Sequence, residues 1–346
     1  MSLREEIFQQ PEVVGKLIAG QMANVYKIAE EIQKAKVPYV HIAARGTSDN
    51  AGRYASYLWG AYNQLTVGLA TPSLFSVYQK PPQLNGALTI GISQSGQSPD
   101  IVSVLQEARK QGCPTLAITN EPNSPLAETA DWIINIGAGE EKAVAATKTY
   151  TTQLAAVAML SVAMRKDSNK ALKELQNVPS WMEKVLKQEG NIEQIAQRYR
   201  YMDQCVVLGR GFNYATSFEW AIKLKELTYV VADAYSSADF RHGPIAIVDR
   251  GFPVMVIIPQ GAVFEDMLSL VRKLKEDHKA ELLIISNEQS ALELAQSPIA
   301  IPTDVPEWLS PLICILPAQL FAYHLTMVKG FSTETPRWIT KVTETR

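Results

Sequence analysis

Ile90-Gly91-Ile92-Ser93-Gln94-Ser95-Gly96-Gln97-Ser98-Pro99-Asp100 reads as a strand that runs into a hydroxyl-rich turn and then a helix. Leu88 to Ile92 is an apolar run of buried-strand length, and Pro99 ahead of the amphipathic Ile101-Val102-Ser103-Val104-Leu105 fits a helix with proline in its first turn. Between them Ser93, Ser95 and Ser98 offer hydroxyl donors, and Gly96 lets the backbone approach a ligand closely. Free N–H groups and the positive end of the helix dipole suit such a junction to a phosphate. The competing reading is an ordinary serine-rich turn, and the companion segments decide between the two.

Upstream, Tyr39 to Ala44 reads as a buried strand, and Arg45-Gly46-Thr47-Ser48-Asp49-Asn50 is a second polar turn leading into a helix over Ala51 to Tyr62. Ahead of it, Glu12 to Lys36 has the apolar spacing of an amphipathic helix, ended by Pro38. Downstream come the strands Pro114 to Asn120 and Trp132 to Ile136, then a long apolar helix ending near Met164. Strands alternating with helices imply a parallel sheet covered on both faces, with ligands bound at the strand ends.

The second half echoes the first. Arg45-Gly46 recurs as Arg210-Gly211, 165 residues on; Gln94 recurs as Gln260, and Asn120 as Asn287, at nearly the same offset. Three strand ends in one order at nearly one offset point to a duplicated α/β domain. The copy Ile258-Pro259-Gln260-Gly261-Ala262 lacks the serines, so one anion site per chain is expected. Lys170 to Tyr201, helical and broken by Pro179, bridges the halves. The expected boundaries are an N-terminal helical segment over 1–36, a first domain over 37–166, a helical connection over 167–203, a second domain over 204–335 and a tail over 336–346.

With 346 residues, 47% hydrophobic and 20% charged, the composition is globular. A net charge of −2 gives no reason to expect nucleic acid as a partner. Cys113, Cys205 and Cys314 are too few and too scattered for a disulfide framework or a metal knuckle. Acidic residues follow Met1 too early for a signal peptide, and no uninterrupted apolar run reaches membrane-spanning length, so the expected location is cytoplasmic, with no membrane partner.

Two places could carry chemistry beyond the turn. Glu219, Lys223 and Glu226 lie on one face of a helix over Tyr214 to Tyr229, an arrangement that in isolation reads as a solvated ladder. The loop Ser236 to Pro244 follows, carrying His242, one of four histidines; His41, His278 and His324 read as packing or surface residues. The tail from Pro336 carries Trp338, Ile339 and Val342, which favour docking, with Lys341 in a setting where burial would favour a neutral amine.

Ala44-Arg45-Gly46-Thr47-Ser48, Ile92 to Gly96, Val144-Ala145-Ala146-Thr147-Lys148, Lys223-Leu224-Lys225-Glu226, Arg241-His242-Gly243-Pro244 and Lys341-Val342-Thr343-Glu344 together resemble the double sugar-isomerase (SIS) domain family. The likeness spans nearly the whole chain. It extends to the isomerase half of glucosamine-6-phosphate synthase and, more closely, to the SIS-type glucosamine-6-phosphate deaminases. The fold it implies is α/β: two tandem doubly wound parallel-sheet domains, flavodoxin-like and related by duplication, with an N-terminal helix and a C-terminal tail.

The resemblance also implies roles. Ser93, Gln94, Ser95 and Ser98 would hold the sugar phosphate, with Gly46, Thr47 and Ser48 completing that site and Val144 and Ala146 lining it. Glu226 would move a proton between C1 and C2, His242 would open the ring and serve a partner subunit's site, Lys341 would contact the open-chain sugar, and Lys223 would support the carboxylate. A homodimer with shared sites, a small phosphosugar as the only other partner, and no metal or other cofactor are expected.

Ala146 stands where the synthase usually has serine, and Gln97-Ser98 where it has glutamate-threonine; both features resemble the deaminase branch. The chain carries no preceding glutaminase domain, so glutamine cleavage is not expected. The expected reaction is glucosamine 6-phosphate plus water to fructose 6-phosphate plus ammonia. The alternatives are a fructosamine-6-phosphate deglycase, a plain isomerase, a synthase-like amination with separate ammonia, or a non-catalytic sensor, which would need only the serine turn.

Overall fold

The computed structural model describes residues 2–341, and the end of the tail from Val342 onward lies outside the described residues. The chain divides into two compact units. One comprises Glu12–Glu141 and Lys148–Asn177 with Thr340 and Lys341; the other comprises residues 2–11, Lys142–Thr147 and Val178–Ile339.

The first unit holds a five-stranded sheet of β1 (Val40–Ala43), β2 (Val67–Leu69), β3 (Leu88–Ser93), β4 (Thr115–Thr119) and β5 (Trp132–Asn135), in the order β2-β1-β3-β4-β5. Every pairing is parallel, with Ile42 beside Ile90 and Ile92 beside Ile118. The second unit holds β6 (Gln204–Gly209), β7 (Val231–Ser236), β8 (Pro253–Ile257), β9 (Glu281–Ser286) and β10 (Ser297–Ala300). Its order is β7-β6-β8-β9-β10, also all parallel. Relabelled from its own first strand this is the same 2-1-3-4-5 sequence, the flavodoxin-like order. The expected duplicated architecture is therefore what forms.

Each sheet is covered by helices whose packing repeats between the copies. In the first unit, helix Thr47–Asn63 packs on helix Lys148–Met164, with Trp59 Nε1 donating to the Val157 carbonyl at 3.1 Å. In the second, helix Tyr214–Lys223 packs on helix Ser310–Val328, with Asn213 Nδ2 donating to Ser310 Oγ at 2.7 Å and Trp220 edge-on to Phe321.

Three local expectations need correction. The first helix runs from Leu3 to Ala35 rather than from Glu12, because it tolerates Pro11 inside. Proline cannot donate to the carbonyl four residues back, here that of Ile7. The Gln10 side chain donates to that carbonyl instead, at 2.9 Å. The connection is three helices, Ser168–Gln176, Val178–Leu186 and Glu189–Arg198, with Pro179 in a first turn, where its missing N–H costs nothing, rather than at the break.

The segment Ser236 to Pro244 is not simply loop: it contains a helical turn, Ser237–Arg241, capped by the Ser236 hydroxyl. The stretch Glu307–Val328 is long and apolar enough to cross a membrane by length and composition. Gln319 and His324 interrupt its apolar run, and 83% of its most apolar window is buried within the protein, as a core helix would be.

Candidate active site

β3 is buried along its whole length, and Ser93 at its end begins the turn. Ser93 Oγ accepts the Gly96 N–H at 3.1 Å, and Ser95 Oγ accepts the Gln97 N–H at 3.3 Å. Accepting through a lone pair leaves each hydroxyl proton available to donate. Gly96 has φ +61°, and a Cβ there would collide with the Ser124 side chain, so glycine is required on both counts. The turn is further tied to the end of β4 by the Asn120 N–H on the Gln94 carbonyl, and to the helical turn Pro125–Thr129 by the Leu126 N–H on the Gly96 carbonyl, both at 3.1 Å. Ser98 precedes helix Pro99–Lys110 without using its side chain as a cap.

The neighbouring turn after β1 is joined to this one by a buried carboxylate that sequence reading missed. Asp100 has no side-chain exposure, and its Oδ2 accepts Arg45 Nε at 2.8 Å. Gly46 (φ +53°) opens helix Thr47–Asn63; Thr47 is half-buried, and Ser48 is buried with its Oγ accepting Gln153 Nε2 at 3.0 Å. Gly46, Thr47, Ser93, Gln94, Ser95 and Ser98 thus lie at the adjacent strand ends of one sheet, while the Ser48 hydroxyl is engaged internally.

In the second unit the equivalent turn is filled by the chain itself. The Ala262 N–H donates to Glu307 Oε2 at 2.9 Å, and a Cβ on Gly261 would collide with that carboxyl. Val144 and Ala146 are half-buried in the segment Lys142–Thr147, which is held by Glu6. That fully buried carboxylate accepts the N–H groups of Lys142 at 2.5 Å and Ala143 at 3.2 Å.

The carboxylate face of the second unit is not a solvated ladder. Helix Tyr214–Lys223 widens into a π-turn over Leu224–Thr228, a distortion often found at functional sites. Lys223, 2% exposed, places its Nζ 2.6 Å from Glu226 Oε2 and 3.5 Å from Glu219 Oε1. Glu219 is fully buried, whereas Glu226 is 30% exposed and so open to a ligand. The ammonium thus bridges a buried carboxylate and a partly exposed one.

His242 is exposed, and the helical turn before it is held by Asp266. Asp266 accepts Arg241 at 2.6 Å, Ser237 Oγ at 3.2 Å and Arg210. Burial opposes ionisation of Asp266, but the Arg241 hydrogen bond and the charges of both arginines outweigh it and hold the carboxyl below its ordinary range. His324, expected at the surface or in packing, is buried with Nε2 3.3 Å from Glu189.

The tail docks differently from the expectation. Trp338 is fully exposed and Ile339 is 37% exposed. Arg337 instead lies 4.3 Å over the Tyr229 ring, and Lys341 Nζ sits 2.7 Å from the buried Glu141 carboxylate rather than in an apolar setting.

The SIS domain profile matches residues 31–163 and 200–329. A glutamine–fructose-6-phosphate aminotransferase (isomerizing) of Thermus thermophilus is 30% identical over 97% of this chain, and the chain spans 58% of that protein's length. The solved C-terminal domain of glucosamine-fructose-6-phosphate aminotransferase from Francisella tularensis superposes with a TM-score of 0.87 at 29% identity, covering 96% of this chain and 98% of that one. A glucosamine-6-phosphate deaminase from Thermotoga maritima shares the fold, with a TM-score of 0.78 at 21% identity over all of both chains. With both halves matched in order and the same sheet built twice, the chain belongs to the SIS domain family.

Proposed function

We propose that the protein is an amino-sugar-phosphate isomerase of deaminase type, converting glucosamine 6-phosphate and water to fructose 6-phosphate and ammonia. The observation that carries this is Glu226, a partly exposed carboxylate in a π-turn, paired at 2.6 Å with a lysine that is almost wholly buried. A binding module needs no such group. In this reading the Ser93–Ser98 turn takes the phosphate, which supplies orientation, and His242 opens the ring. Glu226 removes the proton from C2 and returns it at C1, while Lys223 and Lys341 steady the sugar hydroxyls and the open-chain carbonyl. Water then adds at C2 as ammonia leaves. The protein would work as a cytoplasmic homodimer, His242 serving the partner's site.

A second reading, amination of fructose 6-phosphate from a separate ammonia source, is favoured by the 30% identity to an aminotransferase. Assays of ammonia and fructose 6-phosphate release over a panel of amino-sugar phosphates, run also in reverse with ammonium, test both. Stoichiometric release from glucosamine 6-phosphate supports the first reading. Turnover confined to the reverse direction supports the second, and no turnover on any member removes both.

A further inference from the structure

We propose that Glu141 is a positioning residue that docks Lys341 reversibly at the N-terminal end of helix Lys148–Met164. The proposal rests on the reading that Lys341 acts on the sugar. The Glu141 side chain is completely buried, yet Lys341 is 24% exposed. The carboxylate accepts the Thr149 N–H at 3.1 Å, the Thr149 hydroxyl at 2.7 Å and Lys341 Nζ at 2.7 Å. Two of these three bonds come from the first turn of the helix, where the dipole favours a negative charge. They persist when the lysine leaves, so its departure does not strand a buried carboxylate without donors, the situation that makes most buried pairs costly to open. Water reaches the lysine end of the pair but not the glutamate end. One partner is therefore fixed and the other removable.

The tail's own composition needs such a dock. Among the described residues after Pro336, the apolar side chains give it little anchorage: Trp338 is fully exposed and Ile339 is 37% exposed. Glu141 acts through Lys341 and is not itself expected to touch the sugar.

The test is acylation of lysines in the full chain by an N-hydroxysuccinimide acetate, without substrate, quantified peptide by peptide. Lys36 and Lys279, both exposed, serve as internal references. Glu141→Gln should raise the Lys341 rate about threefold, the scale of a partly exposed ion pair, with the references unchanged. Glu141→Asp keeps the charge one methylene further back and should give a smaller rise, which keeps the test decisive where the glutamine variant folds poorly. An unchanged Lys341 rate in both variants overturns the proposal. No sugar is present, so this result stands whether or not the reaction is correctly assigned. With an active substrate in hand, Glu141→Gln should lower kcat while leaving KM nearly unchanged, and aspartate should restore part of it. A change in KM alone overturns the positioning role.

Discussion

Arg45 Nε lies 2.8 Å from Oδ2 of the fully buried Asp100, and the duplicated half repeats the pair as Arg210 and Asp266. The repeat has diverged in its surroundings, since Asp266 is 41% exposed and shares its carboxylate with Arg241. Removing Arg45 leaves a buried carboxylate short of a partner, so Arg45→Ala should cost about 3 kcal/mol in denaturant unfolding. Arg210→Ala should cost no more than about 1 kcal/mol, the scale of exposed pairs. Equal losses would show that burial at Asp100 is not what matters.

The serine turn predicts a binding defect. Ser95→Ala, alone or with Ser93→Ala, should raise KM for phosphorylated sugars, each lost charge-assisted bond costing about 1.5–3 kcal/mol. Ser93→Ala should also loosen the turn, because its Oγ accepts the Gly96 N–H. Kinetics unchanged in the double variant would remove the phosphate from this turn.

Glu226→Gln keeps size and hydrogen bonding but not the base. Sugar-phosphate binding should survive while turnover falls by roughly 10²-fold or more. Exchange of solvent deuterium into the sugar should fall in parallel; exchange at the wild-type rate would place the base elsewhere.

His41 supplies a pH dependence. Burial lowers its proton affinity below the ordinary imidazole value, and its buried Nδ1 has no hydrogen-bond partner among the described residues. The unfolded chain then binds the proton more readily than the folded one. The stability held by neutral His41 is complete above about pH 6.5 and is lost as the pH falls through its lower folded value. Unfolding midpoints between about pH 7 and pH 5 should decline more steeply for the wild type than for His41→Leu. Parallel declines would assign the acid sensitivity to other groups.

Truncation after Pro336 should abolish turnover, because Arg337 and Lys341 are engaged rather than fraying. Trp338 starts fully exposed, so closure over a substrate analogue should shift its fluorescence to the blue, and the shift should vanish in Trp338→Phe. A fully active truncated enzyme would show that the tail takes no part in the reaction.

The sequence alone determined the duplicated α/β plan, because β3, β4 and β8 are buried along their whole length and so had to be written as continuous apolar runs. It also marked the serine turn and the Glu219, Lys223, Glu226 face, since hydroxyl clusters and helical spacing are local properties. The edge strands β2 and β7 escaped notice: each has a neighbour on one side only and is partly exposed, so no apolar run announces it. The internal anions were equally hidden. Nothing local in the sequence marks Asp100, Glu141 and Glu6 as buried; the fold sets each one beside an arginine, a lysine or free backbone N–H groups remote in the chain. Only tertiary structure could decide which carboxylates are buried, because burying a charge requires partners, and those partners lie from 55 to 200 residues away.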